Sequence, residues 1–199
     1  NVGMNSKVLT KIDSIANYAI SKKMTPGIQV VVARKGKVIY QKSFGNHTYE
    51  SNQKVSNTDV YDIASLTKIV ATLHNVMQEF DQGHLTLETK LKSMLPAAKN
   101  SNKANATVLD MLTHQARFQP WIPFYKATLD SLNRPSTHYY RSEFSTEFPI
   151  HVADKLYLRK DYNDSIVKTI LDSELLPKKQ YKYSDFTFIL FKEYLEMHN

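Results

Sequence analysis

The stretch that decides the fold lies between residues 60 and 72 and reads Val60-Tyr61-Asp62-Ile63-Ala64-Ser65-Leu66-Thr67-Lys68-Ile69-Val70-Ala71-Thr72. Ser65 and Lys68 are three residues apart, and residues at this spacing share a helix face with about 5–6 Å between their Cβ atoms. A neutral lysine at that distance could accept the proton of the serine hydroxyl, and serine needs such an adjacent base to act as a nucleophile. By itself, the stretch indicates either a nucleophilic serine at the start of a helix or a helix N-terminus with an exposed lysine.

Apolar residues behind Ser65 recur at helical spacing. They are Ile69, Leu73, Val76, Met77 and Phe80. Gly83 follows them as a helix stop. This period predicts a buried helix that begins at Ser65.

The same serine-to-lysine spacing occurs twice more in the chain. Ser51 and Lys54 fall in a polar stretch without an apolar period, and Ser165 and Lys168 fall inside an amphipathic pattern rather than at its first turn. Both of these pairs are therefore predicted to lie on the solvated surface.

Length and composition indicate a globular protein. With 199 residues, the chain can form one sizeable core or two small lobes, and its 42% hydrophobic and 23% charged residues are ordinary for such a protein. No apolar run approaches the roughly 18 residues that span a bilayer, so no membrane span is predicted. The chain begins at Asn1 and not at a methionine, which we interpret as excision from a longer protein or removal of a signal peptide.

The chain lacks the residues that several classes of chemistry require. There is no cysteine, which excludes disulfides, thiolate nucleophiles and cysteine-ligated metals. The seven histidines show no metal-binding spacing and the five glycines form no phosphate-binding loop, so neither a metal nor a cofactor is expected. The net charge of +7 is scattered without a long basic run, so no nucleic-acid partner is predicted.

The first part of the chain predicts a helix followed by a hairpin. A helical apolar stripe covers residues 9–20, and two β-branched runs, 28–33 and 38–44, flank the glycine turn at residues 34–37. The first run is almost continuously apolar, which predicts a strand covered on both faces of its sheet.

The rest of the chain predicts helices and one long irregular segment. Helices are expected at residues 107–114, 164–176 and 186–197. Residues 118–162 are rich in aromatic side chains, prolines and polar residues, which predicts a long loop with short elements. This aromatic loop either lines a substrate cleft or packs as a lid on the body, and the sequence favours neither.

Four features in this order resemble one family. They are the hairpin after a first helix, Ile63-Ala64-Ser65-Leu66-Thr67-Lys68, Val108-Leu109-Asp110-Met111-Leu112-Thr113-His114, and Tyr183-Ser184-Asp185. The chain resembles the serine β-lactamase and penicillin-binding-protein superfamily, in the branch of class C β-lactamases, D-Ala-D-Ala carboxypeptidases and related esterases. The resemblance implies an α+β, β-lactamase/transpeptidase-like fold, with an antiparallel sheet beside a helical lobe.

The resemblance also implies site residues. The family's Ser-x-x-Lys motif corresponds to Ser65 and Lys68, and its tyrosine motif corresponds to Tyr183, with Asp185 as a substrate-binding residue where the family often has asparagine. Ser65 would attack a carbonyl while Lys68 and Tyr183 exchange its proton. Burial between a serine and a tyrosine is expected to lower the pKa of Lys68.

Two further residues, Tyr162 and His114, lie in segments that resemble the motifs of the family. Tyr162 also begins a Tyr-Asn-Asp tripeptide, but the apolar helix that follows Tyr183 is missing there. His114 lies in a family-like segment, and we interpret it as structural.

A third family motif, a Lys-Thr-Gly or His-x-Gly triad on a strand that also supplies one oxyanion-binding N–H, would follow the tyrosine motif. It does not occur before Asn199. We therefore expect residues 1–199 to be the N-terminal part of one hydrolase domain, without its C-terminal strands. Residues 1–60 would be the first helix and sheet strands, and residues 61–199 the helical lobe.

The function implied by the resemblance is that of a serine hydrolase acting through an acyl-enzyme on a β-lactam, a D-Ala-D-Ala peptide or a small ester. The expected partners are thus a small molecule or a cell-wall peptide, in a periplasmic or extracellular location. The alternative is a catalytically inactive, penicillin-recognising-like binding or regulatory module, attached to a glycosidase domain as in some relatives.

Overall fold

The computed structural model of the protein describes residues 2–198, which form two compact units. The first unit extends to Ile63 and the second begins at Ala64. The division falls just before Ser65, so that all of the predicted site residues belong to the second unit.

The first unit consists of two short helices and a hairpin. Helices α1 (Ser6–Leu9) and α2 (Lys11–Ser21) precede strands β1 (Gly27–Arg34) and β2 (Lys37–Gly45), which pair antiparallel. The turn residues Lys35 and Gly36 both have positive φ, 50° and 71°, as in the two-residue turns whose twist matches that of a hairpin. The predicted helix and hairpin are confirmed.

Helix α2 packs against the hairpin through Asp13 and Ala16. The Tyr40 hydroxyl donates to Asp13 Oδ1 at 2.6 Å, and Ala16 is buried. The prediction of a strand covered on both faces is wrong, because no residue of β1 is buried and Val31 is 53% exposed. Within the described part of this unit, the helical cover comes from α2 and lies on one side only.

The second unit is mainly helical. Its helical elements are a π-helical segment (Lys68–Leu73), α3 (His74–Asp81), α4 (Leu91–Met94), α5 (Val108–Leu112), α6 (Tyr162–Asp172), α7 (Phe186–His198) and two short 3₁₀ turns (Pro96–Ala98 and Phe124–Thr128). The helices predicted at 107–114 and 186–197 are confirmed as α5 and α7. The helix predicted at 164–176 is α6, which ends earlier because Ser173 is already extended, with ψ at 151°.

Helix α7 lies at the centre of the second unit. Phe186, Leu190 and Phe191 are completely buried in its core. Met111 of α5 and Ile170 of α6 are equally buried in the same cluster. An apolar helix surrounded in this way holds the preceding Tyr183-Ser184-Asp185 segment in a fixed position.

The aromatic loop 118–162 contains a small sheet. Strands β3 (Tyr140–Arg141), β4 (Ile150–Ala153) and β5 (Leu156–Leu158) form it, with β5 in the middle and both pairings antiparallel. The prediction of a long loop with short elements is confirmed. Its role as a cleft wall or as a lid stays a prediction.

The helix behind Ser65 is less buried than its apolar period predicts. Val76 is buried, whereas Ile69, Met77 and Phe80 are about half exposed. The helix packs through the side that carries Val76 and Glu79, and the Tyr194 hydroxyl of α7 donates to Glu79 Oε2 at 3.1 Å. The π-helical segment, with its wider turn, also displaces the apolar residues from a single 3.6-residue stripe.

Residues 2–198 contain neither a membrane-spanning helix nor a cluster of metal-binding side chains. No helix in this range has both the length and the apolar character needed to cross a membrane. No group of three or more histidine, aspartate or glutamate side chains in this range is arranged to hold a metal ion.

Candidate active site

Ser65 lies at a strained point of the backbone. It precedes the first helical residues, Leu66 and Thr67, and its side chain is exposed. Ala64 before it has φ at 44°, a value uncommon for residues other than glycine. Backbone strain of this kind concentrates at functional sites, which makes Ser65 a reasonable candidate for chemistry.

Lys68 contacts Ser65 directly. The Lys68 Nζ atom donates to Ser65 Oγ at 3.1 Å, and Lys68 begins the π-helical segment, an arrangement frequent at functional sites. The two other Ser-x-x-Lys pairs differ. Lys168 forms an ion pair with Asp172, and Ser51 Oγ accepts from a nearby backbone N–H.

Asp185 and Tyr183 complete the group around the Lys68 ammonium. Lys68 Nζ lies 2.8 Å from Asp185 Oδ1 and 5.4 Å from the centroid of the Tyr183 ring. The Lys68 side chain is 17% exposed and that of Asp185 is 41% exposed. The four residues predicted for the site therefore meet around one nitrogen atom.

The charge of Lys68 differs from the expectation. Burial lowers the pKa of Lys68, but hydrogen bonds with Asp185 and Tyr183 raise it by more, so that the net pKa lies above its ordinary value. The predicted lowering of this pKa is wrong because it considered burial without the carboxylate partner. Lys68 is therefore an ammonium at neutral pH and donates to Ser65 Oγ.

His114 holds the tyrosine motif in place. Its φ is 56°, in the left-handed region that commonly follows a helix end. Its carbonyl oxygen accepts from the Lys182 N–H at 2.8 Å, its Nδ1 lies 3.2 Å from the Ser184 backbone nitrogen, and its ring centroid is 4.6 Å from that of Tyr183. These contacts agree with the structural role that the sequence analysis gave to His114.

The environment of His114 favours the neutral imidazole, which can accept a hydrogen bond. Burial lowers the pKa of His114, and the positive charge of Lys68 lowers it further, while Asp185 opposes both. A neutral imidazole has one nitrogen without a proton. Nδ1 can thus accept the Ser184 N–H.

Ser184 is a positioning residue that the sequence analysis did not single out. It is 2% exposed, and its Oγ donates to Gln119 O at 2.6 Å and accepts from the Phe186 N–H at 3.2 Å. The Asp185 N–H donates to Pro120 O at 2.9 Å. These bonds attach the tyrosine motif to the chain after α5, and no sequence pattern signals them, because the partners are carbonyl groups far away in sequence.

Tyr162 is committed to another part of the unit. Its hydroxyl donates to Phe124 O at 2.6 Å, and the neighbouring Asn163 Nδ2 donates to Glu193 Oε1 at 2.8 Å. Tyr183, in contrast, lies beside Lys68. The geometry therefore favours Tyr183 over Tyr162 as the tyrosine of the site.

Comparison with known families agrees with this fold. The model of the beta-lactamase family matches residues 16–197, and the chain therefore belongs to the beta-lactamase family. The α+β fold predicted from the sequence, with antiparallel strands and a helical lobe, is confirmed as β-lactamase/transpeptidase-like.

Three similar proteins illustrate the range of the family. The N-acetylmuramyl-L-alanine amidase of Bacillus subtilis (strain 168) is 28% identical over an alignment of 134 residues that covers 61% of this chain and 30% of that protein. A class C beta-lactamase has a TM-score of 0.64 at 16% identity, over 98% of this chain and 46% of that chain. The octameric penicillin-binding protein homologue from Pyrococcus abyssi has a TM-score of 0.63 at 18% identity, over 94% of this chain and 38% of that chain. This chain spans less than half of the length of each.

Proposed function

We propose that the intact protein is a serine hydrolase that forms an acyl-enzyme on Ser65. The observation that carries the proposal is the position of the Lys68 ammonium, within hydrogen-bond distance of both Ser65 Oγ and Asp185 Oδ1 and beside the ring of Tyr183. Membership of the beta-lactamase family supports it.

In the proposed acylation, Tyr183 reacts as the phenolate: Ser65 Oγ attacks the carbonyl carbon, and its proton passes to the phenolate oxygen of Tyr183. Lys68 is already charged, so it serves as a donor that stabilises the developing negative charge rather than as the base. When the tetrahedral intermediate collapses, the bond to the leaving group breaks, the electron pair departs with that group, and Tyr183 returns the proton to it. Water then hydrolyses the ester and restores Ser65.

The proposed substrates are those implied by the resemblance, namely a β-lactam, a D-Ala-D-Ala peptide or a small ester. The relative named an amidase supports a cell-wall peptide among them, and the class C enzyme among the structural neighbours supports a β-lactam. Such a substrate suits a periplasmic or extracellular location.

The second candidate is a binding or regulatory module that keeps the fold without turnover, with or without an attached glycosidase domain. The ion pair of Lys68 with Asp185 favours this candidate in the case that Lys68 must be the base, because a charged lysine cannot take the proton from Ser65. A module of this kind would bind a penicillin-like ligand without forming a covalent bond.

Intact-mass measurement separates the two candidates. The chain is incubated with a fluorophosphonate and, separately, with benzylpenicillin, together with a Ser65→Ala variant. The matched control is Ser165→Ala, which changes the exposed serine of another Ser-x-x-Lys pair. A C-terminally extended chain, incubated in parallel, tests whether residues 1–199 form a complete active site.

A hydrolase is expected to gain the mass of one phosphonyl group, with labelling lost in Ser65→Ala and retained in Ser165→Ala. Labelling that persists in Ser65→Ala would refute Ser65 as the nucleophile. If neither the chain nor its extended form is labelled although both are folded, the hydrolase proposal fails and the binding module replaces it.

A further inference from the structure

The segment that carries Tyr183 has no regular secondary structure. It extends from residue 173, after the end of α6, to residue 185, before the start of α7, and we call it the connecting segment. Because neither helix includes these residues, hydrogen bonds to other parts of the chain must fix their position. The place of Tyr183 in the site therefore depends on the partners of this segment.

The stretch after α5, residues 114–120, supplies partners at both ends of the connecting segment. At the end near the site, the Lys182 N–H donates to His114 O at 2.8 Å. At the far end, Arg117 and Leu176 exchange two hydrogen bonds. The Leu176 N–H donates to Arg117 O at 2.7 Å, and Arg117 Nε donates to Leu176 O at 2.6 Å. The connecting segment is thus attached at both ends to the same short stretch.

Arg117 makes these bonds from a strained backbone conformation. Its φ is 62°, in the left-handed region where glycine is the default residue and a side chain costs free energy. Such strain persists only where the surroundings determine the conformation. A glycine would adopt this φ without strain, but it could not donate the second hydrogen bond to Leu176. The arginine side chain is therefore what the strained position adds to the contact.

Leu176 lies in a stiff part of the connecting segment. It precedes Pro177, and the residue before a proline is restricted to extended conformations, while the proline ring fixes its own φ. The middle of the segment is tied to α5, since Lys179 Nζ lies 2.6 Å from Asp110 Oδ1. A displacement at Leu176 is therefore passed along the segment toward Tyr183 rather than absorbed at the next residue.

We propose that Arg117 is a positioning residue, which holds the connecting segment at Leu176 and thereby places Tyr183 beside Lys68. The inference rests on the proposed function, in which Tyr183 takes the proton of Ser65, and it adds a residue that acts through Tyr183. Proton transfer depends on short distances, and a displacement of about 1 Å can slow a reaction about a hundredfold.

Replacement of Arg117 by glycine separates the side chain from the backbone. Arg117→Gly removes the Nε donor, keeps the carbonyl oxygen that accepts from the Leu176 N–H, and relieves the strain of the positive φ. The matched control is Lys155→Gly, at an exposed residue with φ at 49° in the turn between β4 and β5. Both variants replace a basic residue at positive φ by glycine, so that the contact with Leu176 is what differs.

The first readout is the NMR signal of the Tyr183 ring in a chain labelled with ¹³C-tyrosine, assigned with Tyr183→Phe. The His114 ring, 4.6 Å from the Tyr183 ring between centroids, shifts this signal by its ring current. In Arg117→Gly, the Tyr183 signal should move toward its position in the unfolded chain. The signal of Tyr162, whose hydroxyl donates to Phe124 O, should stay in place. In Lys155→Gly, both signals should stay in place.

The second readout is the rate at which fluorophosphonate labels Ser65, followed by intact mass. The rate should fall about tenfold to a hundredfold in Arg117→Gly and stay within about twofold of the parent in Lys155→Gly. The Tm of Arg117→Gly should remain within about 5 °C of the parent, because relief of the positive φ offsets part of the lost hydrogen bond. Slower labelling of a folded variant then reports the position of Tyr183 and not unfolding.

An unmoved Tyr183 signal in folded Arg117→Gly overturns the proposal, as does an unchanged labelling rate. If Arg117→Gly does not fold, Arg117→Asn replaces it with the same two readouts, since asparagine also adopts positive φ. If the Tyr183 signal moves as expected but Ser65 of the parent chain is not labelled, the hydrolase proposal fails, while the placement of Tyr183 by Arg117 stands.

Discussion

Replacement of Ser184 by alanine tests how the tyrosine motif is held. The Ser184 hydroxyl is buried and makes two hydrogen bonds, one to Gln119 O and one from the Phe186 N–H at the start of α7. Alanine keeps the backbone N–H that His114 Nδ1 accepts but removes both hydroxyl bonds. The variant therefore isolates the contribution of one hydroxyl group to the positions of Tyr183 and Asp185.

The magnitude follows from the two groups that lose their partner. The Phe186 N–H is a helix-terminal donor, and the loss of its side-chain acceptor costs about 1 kcal/mol. The Gln119 carbonyl loses its short hydrogen bond, which costs about 1–3 kcal/mol where water cannot replace it. The free energy of unfolding should thus fall by about 2–4 kcal/mol, which lowers the Tm of a chain of this length by roughly 5–15 °C.

The assay is thermal and urea unfolding of Ser184→Ala beside the parent chain and Ser165→Ala, whose serine is exposed. The control should remain within about 0.5 kcal/mol of the parent. At a temperature where Ser184→Ala is still folded, fluorophosphonate labelling of Ser65 should also slow down, because Tyr183 and Asp185 flank the changed residue. A loss of stability no larger than that of the control would refute the reasoning.

Two predictions concern pH. Burial and the charge of Lys68 lower the pKa of His114 from 6.5, while Asp185 opposes them. Just below pH 6.5, the unfolded chain therefore binds more protons than the folded chain. The free energy of unfolding should fall as the pH drops through this window. His114→Gln should flatten this dependence in urea titrations at pH 7 and pH 5, and an unchanged slope would contradict the assignment. Burial lowers the pKa of Lys103 from 10.5 to about 8, although its Nζ donates to the carbonyl oxygens of Leu171 and Ser173 at the end of α6. The free energy of unfolding should therefore rise between about pH 8 and 10.5, by about 3 kcal/mol at most. Lys103→Met should abolish this rise. A rise of equal size in the variant would exclude Lys103 as its origin.

The elements that could be predicted from the sequence are those with local causes. The hairpin depends on a two-residue turn in which Gly36 adopts positive φ at no steric cost, with φ at 71°. Helix α7 depends on an apolar run that only a core can accommodate, and its Phe186, Leu190 and Phe191 are indeed completely buried. In both cases the information lies within a few residues of the element itself.

The elements that could not be predicted depend on distant partners. The exposure of Ile69, Met77 and Phe80 is decided by which side of the helix meets α7, and a period of apolar residues cannot specify this. The end of α6 at Asp172 is similarly set by its surroundings, because the Lys103 side chain and Asn102 Nδ2 both donate to Ser173 O there.

The site also contains features that local sequence predicts and features that depend on distant partners. The contact between Ser65 and Lys68 follows from a spacing of three residues, and the structure has it. The partner of Lys68 on its other side, Asp185, is far away in sequence, so its effect on the lysine was not foreseen, and burial alone gave the wrong sign for the pKa of Lys68. The hydrogen bond from the Ser184 hydroxyl to a backbone carbonyl could not be predicted either, since carbonyl acceptors carry no sequence signal.

The ion pair between Lys68 and Asp185 leads to different pH profiles for the two possible bases of the proposed acylation, Lys68 and Tyr183. If Lys68 itself must be neutral to take the proton of Ser65, the pair inhibits the reaction, and Asp185→Asn should speed the acylation of Ser65 at neutral pH. If Tyr183 is the base and Lys68 acts as an ammonium, the pair is supportive, because the hydrogen bond that Lys68 donates to Asp185 raises the pKa of Lys68 and extends the range of pH in which it stays charged. Acylation by Asp185→Asn should then decline at a lower pH than acylation by the parent chain, with no gain at neutral pH. The geometry favours the second case, since the same nitrogen that donates to Ser65 Oγ is held by a carboxylate at 2.8 Å.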